Sequence, residues 1–75
     1  MSHILYPAMT IGETVKFLRN RLNISQDELA KKSSCSRNYI SLIERDKADN
    51  ISIKLLHEIF DNLGIKMEIN FITKE

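Results

Sequence analysis

Helix-start signals recur along this sequence at intervals of only 11 to 16 residues, and this spacing restricts the chain to a few short helices. Hydroxyl side chains that can accept from free backbone amides stand before the apolar stretches: Thr10, Ser25, Ser36 and Ser52. The first two are followed three residues later by Glu13 and Glu28, which completes the capping-box pattern. The spacing predicts a first helix over about residues 11–22, a second over 26–32, a third that starts after Ser36 and a fourth over about 53–63.

Apolar residues recur at helical spacing in these segments and define the predicted core faces. The first helix has Ile11, Val15, Leu18 and Leu22 on its stripe, and the fourth has Leu56, Ile59, Phe60 and Leu63. In the third helix Ile40 and Ile43 are predicted to face the core. Glu44 is predicted to lie off that face, where it pairs with a basic side chain or accepts a backbone hydrogen bond. Gly64 stands where a left-handed residue commonly ends a helix.

After Gly64 the apolar period changes from about 3.6 to about 2, which is typical of a strand. Its inward residues are Ile65, Met67, Ile69 and Phe71. A lone strand leaves backbone groups without partners, and each unpaired buried group costs about 1–3 kcal/mol. We therefore expect these four residues to mediate dimerisation, by pairing with the same strand of a second copy; the alternative is a frayed tail that covers the fourth helix. The predicted organisation is an arm (1–9), a helical domain (10–64) and a dimerisation strand with its tail (65–75).

Length and composition limit the class of protein. With 75 residues and one cysteine the chain has a small core and no internal disulfide, so oligomerisation is an expected source of stability. An apolar content of 43% is ordinary for a globular domain, and the absence of a membrane-spanning stretch or secretion signal predicts a cytoplasmic protein. The net charge of +1 conceals an asymmetry: residues 1–47 carry eight Lys or Arg and five Asp or Glu, whereas residues 48–75 carry three and five. A basic first half permits DNA binding without requiring it.

The second and third helices form the pattern of a helix-turn-helix, in which two short helices are joined by a tight turn and the later one enters the major groove of DNA. Ala30 is small where the two helices are expected to cross most closely, and Ile40 and Ile43 hold the later helix on the core. Three polar residues then face solvent near the end that approaches base edges, and they are the predicted base-readout residues: Arg37, Asn38 and Ser41.

The segments Gln26–Ala30 and Ser36–Glu44 resemble the Cro/cI-type (xenobiotic-response-element) helix-turn-helix family of bacterial and phage repressors. The resemblance covers residues 11–64 and implies an all-α, lambda-repressor-like domain of four to five helices. Two turn positions depart from the family pattern, since Ser34 replaces the usual glycine of positive φ and Ser33 replaces an apolar residue. A residue other than glycine in that conformation costs on the order of 1 kcal/mol.

The strand after Gly64 makes the chain similar to the antitoxins of the high-persistence type. Those antitoxins pair with a serine/threonine kinase toxin and repress their own operon, and the C-terminal strands of two chains form an intersubunit sheet. The resemblance implies a homodimer that binds palindromic double-stranded operator DNA, with a kinase-type toxin as partner. The alternative within the family is a phage-type repressor or a restriction–modification controller, and the alternative outside it is a protein-binding adaptor.

Six residues around the third helix are predicted to bind DNA phosphates: Gln26, Ser36, Tyr39, Arg45, Lys47 and Asn50. Gln26 matches a family position that binds phosphate and braces a recognition side chain, and free N–H groups at its helix start would assist. Cys35 is expected to be a small buried hydrophobe. The sequence shows no nucleophile with a paired base, glycine-rich phosphate loop or metal-ligand cluster, so we expect no enzyme, cofactor, metal site or small-molecule substrate.

Overall fold

Four α-helices make up the fold in residues 9–74, the part of the chain that the computed structural model describes. They are α1 (Ile11–Arg21), α2 (Gln26–Lys32), α3 (Arg37–Glu44) and α4 (Ile53–Asn62). The predicted helices are confirmed, with ends that differ by at most one residue. The predicted N-terminal arm falls almost entirely on residues 1–8, outside the described residues. None of the four helices reaches the length and apolarity that a bilayer crossing requires.

All four predicted N-terminal caps are confirmed. Thr10 Oγ1 accepts from the Glu13 amide (3.1 Å), while Glu13 Oε1 accepts from the Thr10 amide (3.0 Å). The same reciprocal pair joins Ser25 and Glu28, at 3.0 and 2.7 Å. The caps of α3 and α4 are single serine hydroxyls that accept from the amide three residues later at 3.0 Å. Each cap satisfies amides that a helix start leaves without partners.

The four helices also share one kind of C-terminal end. Each is followed by a residue in the left-handed region, and these residues are Asn23, Ser34, Asp46 and Gly64, with φ angles of 59°, 58°, 58° and 78°. The amide after each of them donates to the carbonyl five residues earlier at 2.8–3.2 Å, which is the Schellman arrangement. The left-handed conformations expected at Ser34 and Gly64 are therefore confirmed.

The core lies where the apolar faces of the four helices meet. Its buried side chains are Val15, Leu29, Ala30, Ile40, Ile43, Ile59, Phe60 and Leu63. The inward faces predicted for α3 and α4 are confirmed, with Leu56 half-buried at the edge. Helix α3 packs against both α1 and α2, and α2 also packs against α4. The apolar side of α3 is thus covered, and its opposite side is left for solvent.

The predicted apolar stripe of α1 is wrong at its two ends. Val15 is fully buried and Leu18 is half-buried, but Ile11 and Leu22 are 49% and 50% exposed. The reason is direction, because the buried face of α1 runs through Gly12 and Val15 to the largely buried side chain of Arg19. Ile11 lies to one side of that face. Leu22 is the C-cap residue and lies beyond the last residue of the helix.

The turn between α2 and α3 has a buried serine where the family pattern has an apolar residue. Ser33 is fully buried, and its Oγ accepts from Asn62 Nδ2 of α4 (3.1 Å). Asn62 Nδ2 also donates to the Lys32 carbonyl (3.0 Å), so α4 supplies the polar partner that a buried hydroxyl requires. Cys35, a residue expected to be buried, is half-buried against the core. Burial raises the pKa of its thiol, and the Glu58 carboxylate adds to the shift.

The segment after α4 runs over residues 65–74 without helix or strand pairing in the described chain. Met67 is half-buried against the core, whereas Phe71 is 84% exposed. The beginning of the segment therefore rests on the helices and its end does not. A strand needs a neighbouring strand, and residues 9–74 do not provide one, so pairing between two copies stays a prediction.

Replacing Ser34 with glycine is expected to stabilise the fold by up to about 1 kcal/mol, because glycine adopts positive φ without the steric cost of a side chain. Gly64→Ala is the matched reverse change, since the added Cβ would meet no atom within 4 Å and would bring only the conformational cost. Chemical denaturation of both variants measures the free energies of unfolding. Equal stability of Ser34→Gly and the wild type would mean that the Ser34 side chain makes a compensating contact.

Candidate nucleic-acid interface

The outward side of α3 carries the residues predicted to read bases. Ile40 and Ile43 are buried on the opposite side. Arg37 and Asn38 are exposed in the first turn, and Ser41 is half-buried one turn later. All three therefore lie on the N-terminal part of a helix whose apolar side fixes its orientation, and this is the part of a recognition helix that approaches base edges.

Ser41 and Arg45 are in contact along this helix. Arg45 Nε donates to Ser41 Oγ at 3.3 Å. The contact joins a predicted base-readout residue to a predicted phosphate-binding residue. The hydroxyl of Ser41 keeps its own proton for donation, so accepting this bond does not prevent a contact with DNA.

The remaining phosphate-binding candidates near α3 lie at its two ends. Ser36 Oγ accepts from the Tyr39 amide (3.0 Å) at the start of the helix, and the Tyr39 ring packs half-buried against the core. Lys47 and Asn50 lie exposed on the connector between α3 and α4, where Asn50 has a φ of 54°. These residues precede and follow the predicted base-readout residues along the chain. Phosphate contacts in such places position a protein on the duplex.

Glu44, in the last turn of α3, joins three helices. Arg19 of α1 donates from Nε to Glu44 Oε2 (2.6 Å) and from Nη2 to Oε1 (3.1 Å), and Gln26 of α2 donates from Nε2 to the same Oε1 (3.0 Å). Arg19 Nη1 also donates to the Ile24 carbonyl between α1 and α2 (2.8 Å). The side chains of Arg19 and Glu44 are only 11% and 2% exposed, so the two charges compensate each other inside the fold.

The prediction that Glu44 pairs with a basic side chain is confirmed, but its predicted position off the core face is wrong. Glu44 lies four residues after Ile40 and shares its face of the helix. A carboxylate is rarely buried, and here Arg19 and Gln26 supply the donors that make burial tolerable. The sequence held a signal for Arg19, which lies four residues after the buried Val15 and so stands beside the core.

Gln26 is held at the start of α2 by the same carboxylate. A carboxylate only accepts, so the contacting atom is the amide nitrogen, and its second N–H remains available to another acceptor. The position is also the first residue of α2, where backbone amides lack helical partners. A bracing contact of Gln26 with α3 is thus present, while phosphate binding stays a prediction.

Sequence reasoning also missed Asp46, which follows α3. Asp46 Oδ1 accepts from the Gly12 amide (3.2 Å), and Oδ2 accepts from Thr10 Oγ1 (2.7 Å). No local pattern could have found a contact between residues 34 and 36 positions apart. Within residues 9–74 no three His, Cys, Asp or Glu side chains cluster in a way that could hold a metal ion.

Comparison with known proteins finds a family and several relatives. A helix-turn-helix family model matches residues 15–70. The immunity repressor protein of Bacillus phage phi105 is 37% identical to the chain over 59 residues, which are 79% of this chain and 40% of the repressor. The chain thus spans less than half the length of this relative.

Two solved structures are similar in fold and in sequence. SinR of Bacillus subtilis, the master regulator for biofilm formation, crystallised in complex with DNA, aligns with a TM-score of 0.70 and 33% identity over 76% of this chain and 90% of that one. The wild-type restriction–modification controller protein C.Esp1396I aligns with a TM-score of 0.68 and 36% identity, over 75% and 72% of the two chains.

Glu44→Leu is expected to destabilise the protein by about 3–5 kcal/mol, because it leaves the Arg19 guanidinium buried without its anion. The double variant Arg19→Leu/Glu44→Leu is expected to recover most of that loss, since it removes both charges. Asp27→Asn is the matched control: it breaks the exposed Asp27–Lys31 pair (3.4 Å) and is expected to cost no more than about 1 kcal/mol. Urea denaturation measures all three, and a double variant as unstable as Glu44→Leu would contradict this account of the buried pair.

Proposed function

The chain belongs to the helix-turn-helix family, and from that premise we propose that it is a sequence-specific transcriptional repressor that binds palindromic operator DNA as a homodimer. The observation that carries the proposal is the orientation of α3. Its apolar side is buried, and Arg37 and Asn38 are exposed at its N-terminal end. The relatives support the same function, since one is a phage immunity repressor and another was crystallised with DNA.

Three residues of α3 carry sequence choice in this proposal. The planar fork of Arg37 matches the O6 and N7 acceptors of guanine. The amide of Asn38 can donate to and accept from adenine. Ser41 is shorter and half-buried, so its reach is limited to a base edge that comes close to the helix.

Affinity comes from contacts with the phosphate backbone. The proposed set is Gln26, Ser36, Tyr39, Arg45, Lys47 and Asn50. Lys47 and Arg45 bring positive charge, and the others bring neutral hydrogen-bond donors. Binding through cations releases counterions from DNA, so the association constant is expected to fall steeply as salt rises.

The tail supports the proposal of a dimer. Ile65, Ile69 and Phe71 are all exposed in the single chain, although their alternation is that of a strand with one buried face. Pairing of two such strands, with Met67 already on the core, would cover them and hold two recognition helices for half-sites about 34–36 Å apart.

Two narrower versions of the proposed function differ in the operon that the protein would regulate. The apolar tail favours the antitoxin of a kinase-type toxin, because that class pairs its C-terminal strands. The named relatives favour a phage-type repressor or a restriction–modification controller. The neighbouring reading frame distinguishes them, since a kinase-like gene supports the antitoxin and a methyltransferase or endonuclease supports the controller.

A mobility-shift assay of the purified chain tests the function itself. The probe is the DNA directly upstream of its own gene, the competitor is a scrambled duplex of the same length, and the titration is repeated across salt concentrations. Preferential binding of the upstream DNA with a steep salt dependence supports a repressor. Equal, weak binding of both duplexes would instead favour a protein-binding adaptor that has kept the fold.

Arg37→Ala is expected to lose discrimination at one base position by about 1–3 kcal/mol, because a bidentate contact to a base is removed. Lys47→Ala is the matched comparison on the phosphate side: it should weaken binding to all sequences alike and reduce the salt slope by about one. Binding-site selection with a randomised operator measures both. Unchanged operator preference in Arg37→Ala would remove Arg37 from the base-readout set.

Ile69→Lys is expected to weaken self-association at least about tenfold, because burying one isoleucine contributes about 1.5–3 kcal/mol and each dimer contains two. Asn70→Lys places the same charge on the neighbouring residue, which the predicted strand places on its other face, and should change association much less. Sedimentation velocity over a concentration series measures the equilibrium. Equal dimer dissociation constants for the two variants would mean that the dimer interface lies outside the tail.

A further inference from the structure

We infer that Asp46 positions the basic segment that follows α3, so that Arg45 and Lys47 are presented to the DNA backbone. The DNA-binding role that this inference gives to Asp46 rests on the proposed function. Asp46 is an unexpected residue between two cations that are proposed to contact phosphates, because a free carboxylate there would repel DNA. The contacts of its side chain show why the charge is not free.

The carboxylate of Asp46 is bound to the start of α1. Its Oδ2 accepts from Thr10 Oγ1 at 2.7 Å, and its Oδ1 accepts from the Gly12 amide at 3.2 Å. Both donors stand at a helix N-terminus, where amides lack helical partners and the helix dipole favours a negative charge. Asp46 therefore adds to the cap of α1 from a position at the end of α3.

Neither the backbone conformation of residue 46 nor the dipole of α3 favours an aspartate at this position. The residue has a φ of 58°, a conformation that glycine adopts at less cost. A carboxylate next to a helix C-terminus is also opposed by the dipole of that helix. The end of α3 by itself would favour glycine at this position. The contact with α1 is therefore the feature that favours an aspartate.

The contact is possible because α1 and α3 approach each other very closely at this point. A Cβ on Gly12 would overlap the Ile43 carbonyl oxygen and would lie 2.7 Å from Asp46 Oδ1. The first turn of α1 thus rests directly on the last turn of α3. A side chain at Gly12 would push the two helices apart and break the Asp46 contact.

This junction sets the direction in which the chain leaves α3. The Asp46 amide donates to the Ile43 carbonyl (3.0 Å), and the Lys47 amide donates to the Leu42 carbonyl (2.8 Å), the shortest of the four such helix-end bonds. Asp46 is therefore fixed on both sides, by its backbone to α3 and by its carboxylate to α1. Arg45 and Lys47, its exposed neighbours, start from a backbone that both helices hold.

Asp46→Gly tests the carboxylate without changing the backbone conformation, because glycine keeps the left-handed conformation and removes only the side chain. We expect operator and non-operator DNA to be bound about three- to tenfold more weakly, the equivalent of one modest hydrogen bond, with a shallower salt slope and unchanged base preference. Asp49→Asn removes the same charge from the same connector and should leave binding equal or tighter. Mobility shifts on wild type and both variants, at a temperature where all three are folded, give these values.

The two variants distinguish positioning from simple charge repulsion. A surface carboxylate that only repels DNA predicts tighter binding for Asp46→Gly as well as for Asp49→Asn. Binding by Asp46→Gly as tight as the wild type's, or tighter, would overturn the inference. Asp46→Asn, which keeps one acceptor oxygen, should fall between Asp46→Gly and the wild type.

Amide hydrogen exchange tests the junction without DNA. In Asp46→Gly the Gly12 amide loses its acceptor, and we expect faster exchange both there and at Lys47, whose backbone the junction holds. Unchanged exchange at Lys47 would overturn the positioning role whatever the DNA result. If the wild type shows no preference for its upstream DNA, the proposed function fails, while the exchange result still decides whether Asp46 fixes the segment.

Discussion

The buried contact of Glu44 with Arg19 and Gln26 is the interaction on which the arrangement of α1, α2 and α3 depends. Burying two charges costs several kcal/mol each unless geometry and hydrogen bonds compensate. Here the carboxylate accepts three hydrogen bonds, and the guanidinium has a further acceptor at Ile24. Apolar packing alone allows helices some freedom to slide and rotate, whereas these directional contacts fix the base of α3 against both neighbours. The exposed residues of α3 are held in a defined direction as a result.

Helix ends have unusual weight in a domain of this size. Each helix leaves its first four amides and last four carbonyls without helical partners, and in helices of seven to eleven residues these groups are a large fraction of the backbone. Hydroxyl caps at every start and Schellman bonds at every end satisfy many of these groups. Asn62 and Asp46 extend the same principle across the fold, since the first binds the end of α2 and the second binds the start of α1. Capping and tertiary structure are thus partly the same set of contacts.

The proposed DNA-binding surface combines a rigid support with exposed side chains. Arg37 and Asn38 project from a helix whose other side is buried, and Lys47 lies on a connector held at its start by Asp46. The shared part of the phage repressor is less than half of that protein. The family model matches residues 15–70, which include most of α1, the other three helices and the first part of the apolar tail.

The sequence by itself determined the elements that depend on neighbours within a few residues. Capping boxes, the helices they begin, the inward faces of α3 and α4, and the left-handed residues Ser34 and Gly64 all follow from such local chemistry. Only the tertiary structure decided the burial of Glu44, the partner of Ser33 and the direction of the Asp46 carboxylate, because these contacts join residues 18 to 36 positions apart. It also decided that Ile11 and Leu22 are exposed, since apolar periodicity alone does not reveal that the buried face of α1 runs through Gly12 and Val15.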